Sequence, residues 1–334
     1  MKRIVLAAAF AALLVAPAAS PPPTHAQTPA PLDTLVAAER AFAAMSSQSG
    51  MKQAFLANLA PDAIVFDPGP VAAVPVWEAR QPSKYRLLWE PSWAEVSGNG
   101  DLGVTTGPWV VEPGDRDTVI AQGHFMTVWK RRPGTPWVVA VDLGIDHDPL
   151  ARGGYGDVTL EPGVEHSPFV IGPGWRGGSS GMAVGLSSGA FGFGIGTVMS
   201  PQEERDRIMA HELNAMMNTD RGYLYDRRGK GVAEALSRVA APDVHVYRGE
   251  RMPARGPMEA IELLKPLPPA TELLPFGARV ASSYDLGYSY GLLLSREKGA
   301  SRADTSGYVH VFRRDESGKW KLIFDVETAY PKRK

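Results

Sequence analysis

Cysteine is absent from this chain of 334 residues. Its absence excludes disulfides, thiolate metal sites and a lipid-modified N-terminal cysteine, so packing alone must stabilise the fold. An excess of basic charge is missing as well, because 35 lysines and arginines are balanced by 36 acidic residues. Without a basic surface to neutralise phosphates, we expect no nucleic acid partner. Hydrophobic residues make up 44% of the chain, which is ordinary for a globular protein that buries sizeable cores.

Recognisable metal and cofactor motifs are also missing. His211-Glu212 lacks the second histidine of a zinc-binding helix motif. Asp146-His147-Asp148 superficially resembles a set of metal ligands, but neighbouring residues of a strand point to opposite faces, and we interpret it as the polar end of a strand. Neither a phosphate-cradling glycine loop nor a Ser-His-Asp arrangement stands out. We therefore expect neither a metal ion nor a cofactor.

An apolar run lies at the N-terminus. Lys2 and Arg3 precede an apolar stretch at 4–16 and a small-residue, proline-rich stretch at 17–26. This order is typical of a secretory signal peptide, and the apolar stretch is short for a membrane span. A retained membrane anchor is the alternative. We predict cleavage after Ala26, which removes residues 1–26 and leaves a periplasmic or secreted protein with no stable membrane span.

Three sequence blocks occur twice in the same order, at offsets of 184, 183 and 181 residues. The paired blocks are DLGVTTG at 101–107 with DLGYSYG at 285–291, HFMTVWKRRPGTPWVVAVDLG at 124–144 with GYVHVFRRDESGKWKLIFDVE at 307–327, and APDAIVFD at 60–67 with APDVHVYR at 241–248. A long and nearly constant offset indicates two duplicated domains rather than a solenoid. We predict a first domain at 27–150, a linker at 151–199 and a second, diverged domain at 200–334.

Both copies have a pattern of helices followed by strands. Helical spacing of apolar residues predicts two helices in each copy, and Ser200-Pro201-Gln202-Glu203 is a capping box that begins one of them. Strands are predicted at 63–66, 103–111, 119–131 and 137–145, and again at 244–247, 286–294, 306–314 and 319–326. The last three strands of each copy can pair as an antiparallel meander. This order is typical of the α+β class.

The predicted linker is rich in glycine and carries no charge between 177 and 200. Within it, FGFGIG at 191–196 alternates apolar residues with glycine, which predicts a hairpin over 182–198. We favour an ordered linker whose apolar face packs on one domain, because long unstructured loops are uncommon in compact proteins. The alternative is an exposed surface for a partner or a membrane.

The first copy resembles a known superfamily in the segments AERAFAAMSSQSGMKQAFLANLAPDAIVFDPGPV, LLWEP, SGNGDLGVTTGPW, GHFMTVWKR and WVVAVDLG. They resemble the SnoaL-like branch of the nuclear transport factor 2 superfamily, and within it an uncharacterised secreted family. The resemblance covers 32–148 and, more loosely, 201–330. It implies two tandem cone-shaped α+β domains, each with helices packed in a strongly bent antiparallel sheet around an apolar pocket. It implies no single function, because this ketosteroid-isomerase-like fold serves isomerases, cyclases, dehydratases and non-catalytic binders.

The same resemblance makes Asp67 a candidate catalytic residue, because the matching carboxylate of ketosteroid isomerase is its general base. Such a base removes a proton next to a carbonyl when donors stabilise the enolate oxygen. The positions of those donors correspond in this chain to Phe42 or Ala43 and Gly123 or His124. We favour the alternative that Asp67 begins a turn with Pro68-Gly69.

Aromatic residues are distributed unequally between the copies. The first copy holds six of the eight tryptophans and the second holds eight of the ten tyrosines. Both side chains combine a large apolar face with one polar group, which suits a ligand pocket. The predicted ligand-binding residues are Trp89, Trp93, Trp109, Phe125 and Trp129 in the first copy, and Tyr288, Tyr308 and His310 in the second. A place in the hydrophobic core is the alternative for each of them.

The leading hypothesis is an exported protein that binds a small hydrophobic molecule. The alternatives are an isomerase, cyclase or dehydratase that uses Asp67 on a carbonyl compound, and a non-catalytic pairing module. Since a linked copy is present at high local concentration, we expect the copies to pack as an intramolecular pseudo-dimer. Asp142 and Asp325, which occupy one position in both copies, should lie near the facing sheets and make a structural hydrogen bond or ion pair.

Overall fold

The computed structural model describes residues 30–115, 118–146, 165–166, 200–267, 270–295 and 303–329. Helices in this part of the chain are α1 (Pro31–Ser49), α2 (Met51–Asn58), α3 (Ala73–Ala79), α4 (Pro201–Lys230), α5 (Val232–Val239) and α6 (Gly256–Leu264). Strands of the first half are β1 (Leu59–Phe66), β2 (Pro70–Ala72), β3 (Tyr85–Trp89), β4 (Trp93–Val96), β5 (Leu102–Pro113), β6 (Ala121–Lys130), β7 (Val138–Asp146) and β8 (Glu165–His166). Strands of the second half are β9 (Ala240–Arg248), β10 (Ala254–Arg255), β11 (Ala270–Val280), β12 (Leu286–Ser295), β13 (Asp304–Arg314) and β14 (Trp320–Ala329).

These strands form one sheet in each half of the chain. The first has the order β2-β1-β7-β6-β5-β4-β8 with β3 beside β5, and the second has the order β10-β9-β14-β13-β12-β11. The predicted meanders are β5–β6–β7 and β12–β13–β14. The predicted α+β class with two tandem units is therefore confirmed. The sheets are mixed rather than wholly antiparallel, since β1 pairs in parallel with β7 and β9 pairs in parallel with β14, each across a long connection.

Both sheets bend at the same place in the meander. The register between β6 and β7 shifts between Val128 and Trp129, and the register between β13 and β14 shifts between Val311 and Phe312. A bulge of this kind increases the local twist and bends the strand. The bends therefore curl each sheet towards its helices, α1 in the first half and α4 in the second.

The long helices present a buried stripe that includes charged residues. Helix α1 buries Leu35, Glu39 and Phe42 at the spacing of one helix face. Helix α4 buries Asp220 and Arg227 among its apolar residues. Charged side chains on a buried stripe are uncommon and require partners. These buried charges indicate that both halves contain polar partners in their interiors.

Helix α4 begins at the capping box that the sequence predicts. The backbone amide of Glu203 donates to Ser200 Oγ at 3.2 Å, and the amide of Ser200 donates to Glu203 Oε2 at 2.7 Å. Both bonds satisfy donors that the helix leaves free at its N-terminus. This prediction is confirmed.

The connection after the first strand of each half holds elements that the sequence pattern does not reveal. It contains β2, α3, β3 and β4 in the first half, and β10, α6 and β11 in the second. Pro75 lies within α3, Pro91 separates β3 from β4, and Pro275 stands at a register shift of β11. Prolines interrupt regular hydrogen bonding and shorten periodic segments. Periodicity is therefore too weak there to assign elements.

The two sheets contact each other through their outward faces. One cluster of buried side chains contains residues of both sheets, among them Val104, Val128 and Val141 from the first and Val309, Val311 and Phe324 from the second. Two buried polar contacts accompany it: Tyr247 Oη lies 2.7 Å from Thr106 Oγ1, and Arg313 donates to Glu95 at 2.7 Å. Apolar burial and satisfied polar pairs together stabilise such a contact.

Asp142 and Asp325 do not lie in this contact, contrary to expectation. Val141 and Leu143 belong to the cluster between the sheets. Neighbouring residues of a strand point to opposite faces, so Asp142 points into the first half instead. Asp325 likewise lies between Phe324 and Val326 of the cluster and points into the second half.

Several predictions lie outside the described residues. These are the signal peptide at 1–26, most of the linker at 151–199 and the hairpin over 182–198. The described part of the linker is β8, which pairs in parallel with β4. Among the described residues, no helix combines the length and the apolar character that crossing a membrane requires.

Candidate functional site

A cavity of about 380 Å³ opens between the inward face of the first sheet and its helices. Seven aromatic rings dominate its wall: Phe42, Phe55, Phe66, Trp77, Trp89, Trp109 and Phe125. Polar side chains in the wall are Arg80, Thr127, Asp142 and Asp146. Small-molecule sites typically have volumes of about 300–1,000 Å³, mostly apolar walls and few polar groups. The cavity has each of these properties.

The rings of the wall pack against one another. Phe55 stacks on Trp77 with ring centroids 3.8 Å apart. The guanidinium of Arg80 lies over the Trp77 ring, 4.3 Å from its centroid. Trp89 makes edge contacts with Phe42 at 4.9 Å and with Phe125 at 6.4 Å. Such contacts add to the free energy of burial and hold each ring in one orientation. The cavity is thus shaped by side chains that support each other.

Asp142 is the carboxylate at the inner wall of the cavity. Thr127 Oγ1 donates to Asp142 Oδ1 at 2.7 Å, a bond between directly opposite residues of β6 and β7. No other hydrogen bond or ion pair of this side chain occurs among the described residues. Burial raises the pKa of Asp142 to about 6, although the bond from Thr127 lowers it. Part of its surface remains open to the cavity.

Glu39 is a second carboxylate, buried behind the aromatic wall. It accepts hydrogen bonds from Trp89 Nε1 at 2.6 Å, Thr105 Oγ1 at 2.6 Å and Trp129 Nε1 at 2.9 Å. Burial raises the pKa of Glu39 to about 7, the hydrogen bonds oppose this rise, and the charge of Asp142 adds to it. Glu39 thereby fixes two indole rings and adds negative charge behind the cavity.

Two indole nitrogens of the wall are buried donors without an acceptor. Trp77 Nε1 and Trp109 Nε1 have no hydrogen-bond partner among the described residues. Trp109 packs against Gly123 and Gly144, where a Cβ atom would come within 2.5 Å and 3.1 Å of its indole. An unsatisfied buried donor costs about 1–3 kcal/mol, so an acceptor in the cavity would stabilise it.

The structure brings together Trp89, Trp109 and Phe125 of the predicted ligand-binding residues, all in the cavity wall. Trp129 lies behind the wall, where its indole donates to Glu39. Trp93 lies between the sheets instead, 5.1 Å from the ring of His245.

Asp67 lies at the surface, outside the set of cavity-lining residues. Its side chain is 53% exposed and forms an ion pair with Arg80 at 3.2 Å. The backbone amide of Asp67 donates to the carbonyl of Gly69 at 2.9 Å, which closes the turn at the end of β1. Little of this carboxylate is desolvated, whereas a general base needs burial to shift its pKa upwards.

The second half contains an ionic network in the place that corresponds to the cavity. His310 Nδ1 lies 2.7 Å from Asp220 Oδ1, and its Nε2 lies 3.4 Å from Asp325 Oδ1. Arg248 donates to Asp325 Oδ1 at 2.8 Å, and Tyr223 donates to Asp325 Oδ2 at 2.7 Å. All five side chains are buried. Ion pairs of the protein itself therefore occupy this interior.

The charges of this network stabilise one another. Burial opposes the charged form of His310, but Asp220 and Asp325 outweigh it and raise the pKa of His310 to about 9. Burial likewise opposes ionisation of Asp325, while Arg248 and His310 hold its pKa well below its ordinary value. The predicted residue Tyr308 is buried beside His310, with ring centroids 4.7 Å apart.

Tyr288 lies in a groove of about 490 Å³ between the halves rather than inside the second half. The groove is lined by residues of both halves, including Asp62 and Lys130 of the first and Arg279 and Tyr290 of the second. Tyr308 and His310, predicted with Tyr288, therefore lie apart from it in the buried network. No group of three potential metal-ligating side chains occurs in the part of the chain that the structure describes.

Sequence reasoning missed Glu39 and Asp220, although a signal for them exists. The two residues are separated by 181 positions, the offset of the APDAIVFD block. Phe42 and Tyr223 are separated by the same offset. Extending the alignment into the helices would have placed an acidic residue on the same helix face in both copies.

No protein-family model matches this chain. No curated protein matches it either. Similar solved structures include a protein of unknown function with a cystatin-like fold from Nostoc punctiforme, with 16% identity and a TM-score of 0.31 over 36% of this chain and 91% of that one. An NTF2-like protein of unknown function from Pseudomonas putida has 14% identity and a TM-score of 0.32 over 36% and 89% of the two chains. A ketosteroid isomerase-like protein from Erwinia carotovora atroseptica has 13% identity and a TM-score of 0.30 over 36% and 97%.

Proposed function

We propose that the protein binds a small, largely hydrophobic molecule in the cavity of its first half. The observation that carries the proposal is the aromatic cavity of about 380 Å³ with few polar side chains in its wall, among them the carboxylate of Asp142. An apolar body would contact the rings, and a small polar end would reach Asp142 and the free donor of Trp109. Apolar burial supplies most of the affinity of such a ligand, while the few polar groups set its orientation.

Two measurements test this proposal. Mass spectrometry of the natively purified protein should detect a small apolar compound, and tryptophan fluorescence should report its rebinding after extraction. The variant Leu87→Trp places a larger side chain in the cavity wall and should weaken binding by about tenfold or more. Tyr85→Trp is the matched control, because Tyr85 lies on the same strand outside the cavity. Equal affinity in both variants would contradict the proposed site.

An enzymatic function is the second candidate, as an isomerase, cyclase or dehydratase of a carbonyl compound. Exposure and the ion pair with Arg80 weaken the case for Asp67 as its general base. Within the cavity, the group suited to moving a proton is Asp142, because a pKa of about 6 lies near neutral pH. Turnover of an extracted ligand that disappears in Asp142→Asn while binding persists would favour this candidate over simple binding.

We also propose that the second half acts as the covalently attached partner of the first, in an intramolecular pseudo-dimer. The cluster shared by both sheets and the contact between Thr106 and Tyr247 support this role. The buried ionic network of the second half supports a structural rather than a ligand-binding role for its interior. A solution scattering profile of the full chain should match one compact body, and two bodies separated by a flexible linker would contradict the pairing.

We also propose that the protein is exported with the help of a cleaved signal peptide. The basic, apolar and small-residue stretches at 1–26 are its support. N-terminal sequencing of the protein recovered from the periplasm or medium should begin at Gln27. An intact Met1 on the exported protein would contradict a cleaved signal peptide.

A further inference from the structure

The carboxylate of Asp142 in the cavity of the first half has no cationic partner among the described residues. Asp142 accepts one hydrogen bond from the neutral Thr127, and no cationic side chain lowers its pKa. Arg80 is the cationic side chain among the described residues that line the cavity, and it forms an ion pair with Asp67. Glu39 behind the wall adds a second buried acid. A buried charge without a partner is costly, so a cationic group of a ligand would stabilise the ionised form of Asp142.

The second half contains the same acidic positions with their cations in place. In the first half, Thr105, Thr127 and Asp142 lie side by side on β5, β6 and β7. In the second half the corresponding row on β12, β13 and β14 consists of Ser289, His310 and Asp325. The correspondence is set by strand register and needs no assumption about side chains.

The helices extend this correspondence to the second acid. Thr105 Oγ1 donates to Glu39 Oε2 at 2.6 Å, and Ser289 Oγ donates to Asp220 Oδ2 at 2.6 Å. Each half therefore holds one carboxylate on its long helix and one on its last strand, and the same hydroxyl position bonds the helix carboxylate. The two interiors are variants of one polar arrangement.

In the second half, protonated nitrogen bases occupy the space next to these acids. The imidazole of His310 lies between Asp220 and Asp325, and the guanidinium of Arg248 bonds Asp325. Arg248 also bonds Glu327 at 2.6 Å. In the second half, this pair of acids is therefore neutralised by protonated nitrogen groups of the protein.

At the positions of His310 and Arg248 the first half has no basic side chain, although an acid is present on the matching strand. Thr127 stands in the position of His310, and the position of Arg248 is held by Asp67, which points to the surface. Gly144 stands where the second half has Glu327, and a cavity is present beside it. Thr127 is smaller than His310, Asp67 points to the surface and Gly144 has no side chain, so the space in front of Asp142 is open.

We propose that the ligand of the first cavity carries a protonated nitrogen that pairs with Asp142, as in a compact aromatic or arylalkyl amine. This inference rests on the proposed binding function and specifies its ligand class. Tryptophan and phenylalanine faces attract cations, so the wall favours the same charge. Asp146 is a second acidic side chain in the cavity wall.

Three probes of equal size and different charge test the inference: 3-phenylpropylamine, 3-phenylpropan-1-ol and 3-phenylpropanoate. Calorimetric titration of the full chain at neutral pH should give an affinity for the amine about tenfold or more above that for the alcohol, with the carboxylate weakest. Asp142→Asn should abolish this preference and change the affinity for the alcohol by less than about threefold. Asp62→Asn is the control, because this carboxylate is exposed and outside the cavity.

A pH series on the unaltered protein provides a second test that needs no variant. The groups facing Asp142 are Thr127, Glu39 and Asp146, with Arg80 at the wall. Since Asp142 becomes neutral as the pH falls through about 6, the affinity for the amine should drop by about tenfold between neutral pH and about pH 5. The affinity for the alcohol should stay constant over this range.

The outcomes separate the inference from the proposed function. Equal affinities for amine and alcohol, or an amine preference that survives in Asp142→Asn, would overturn the cationic ligand and leave the binding function in place. Failure of all three probes to bind at millimolar concentration would contradict the proposed function as well. A preference for the amine that Asp62→Asn removes would assign the effect to surface charge and overturn the inference.

Discussion

Asp142 and Asp325 lie at the same position of the last strand in the two halves, and each faces into its own half. The side chain opposite Asp142 is Thr127, which donates to it at 2.7 Å. The side chain opposite Asp325 is His310, whose Nε2 lies 3.4 Å away. One acid therefore meets a neutral hydroxyl and an open cavity, while the other meets cations. Their pKa values move in opposite directions, upwards for Asp142 and downwards for Asp325.

Asp142→Asn should increase stability at neutral pH. The folded pKa of Asp142 is raised from 3.8 to about 6, so its contribution to stability is fully present below 3.8 and is lost as the pH rises through about 6. Asparagine keeps the bond from Thr127 without the charge. We expect the free energy of unfolding at neutral pH to rise by about 1–3 kcal/mol. Urea denaturation at pH about 4 and about 7 measures this gain, which should vanish at the lower pH.

His310→Gln should destabilise the second half. The folded pKa of His310 is raised from 6.5 to about 9, so its contribution is fully present below 6.5 and is lost as the pH rises through about 9. Loss of this cation leaves Asp220 and Asp325 less compensated, at a cost of about 2–4 kcal/mol near neutral pH. The difference from the unaltered protein should narrow towards pH about 10. His211→Gln, at an exposed position of α4, should have no such effect.

Glu95→Gln should weaken the contact between the halves. Glu95 accepts from Arg313 at 2.7 Å across this contact, and both side chains are buried. Arg313 also bonds Asp243 at 2.7 Å, so the expected loss is about 1–3 kcal/mol rather than that of a fully broken pair. Glu234→Gln, on the exposed side of α5, is the control. A change in Glu95→Gln no larger than in this control would show that the contact does not support stability.

Asp67→Asn should have little effect on ligand binding. The carboxylate is 53% exposed, and an exposed ion pair such as that with Arg80 is worth about 1 kcal/mol or less. We expect less than about a threefold change in the affinity for an apolar probe. A large loss of turnover with unchanged affinity would instead establish Asp67 as a general base. Fluorescence titration and an assay on the extracted ligand distinguish the two results.

Most of the fold could be predicted from the sequence. The strands of the meander are nine to twelve residues long and rich in apolar residues, and β6 and β13 fall close to the predicted bounds. The duplication also predicted two tandem units. The connections after β1 and β9 could not be assigned, because most of their elements are short and because Pro275 interrupts the eleven-residue strand β11 at a register shift.

The candidate site was predictable only in part. Trp89, Trp109 and Phe125 were recognisable because aromatic residues suit a pocket, and the structure places them in one wall. Trp93 carries the same sequence signal and lies between the sheets. Composition does not distinguish the two faces of a curved sheet, since both are apolar here.

By itself the sequence determined the α+β class, the tandem duplication, the capping box of α4 and the absence of disulfides, since periodicity, repetition and composition are properties of the chain. Only the tertiary structure decided that Asp142 faces a cavity and lacks a cation, and that Glu39 and Asp220 are the acids beside it. The physical reason is that charge compensation depends on which side chains meet in space. Thr127 and His310 lie at matching positions of the two sheets. Only strand register and burial show that Thr127 leaves Asp142 without a cation, whereas His310 pairs with buried acids of the second half.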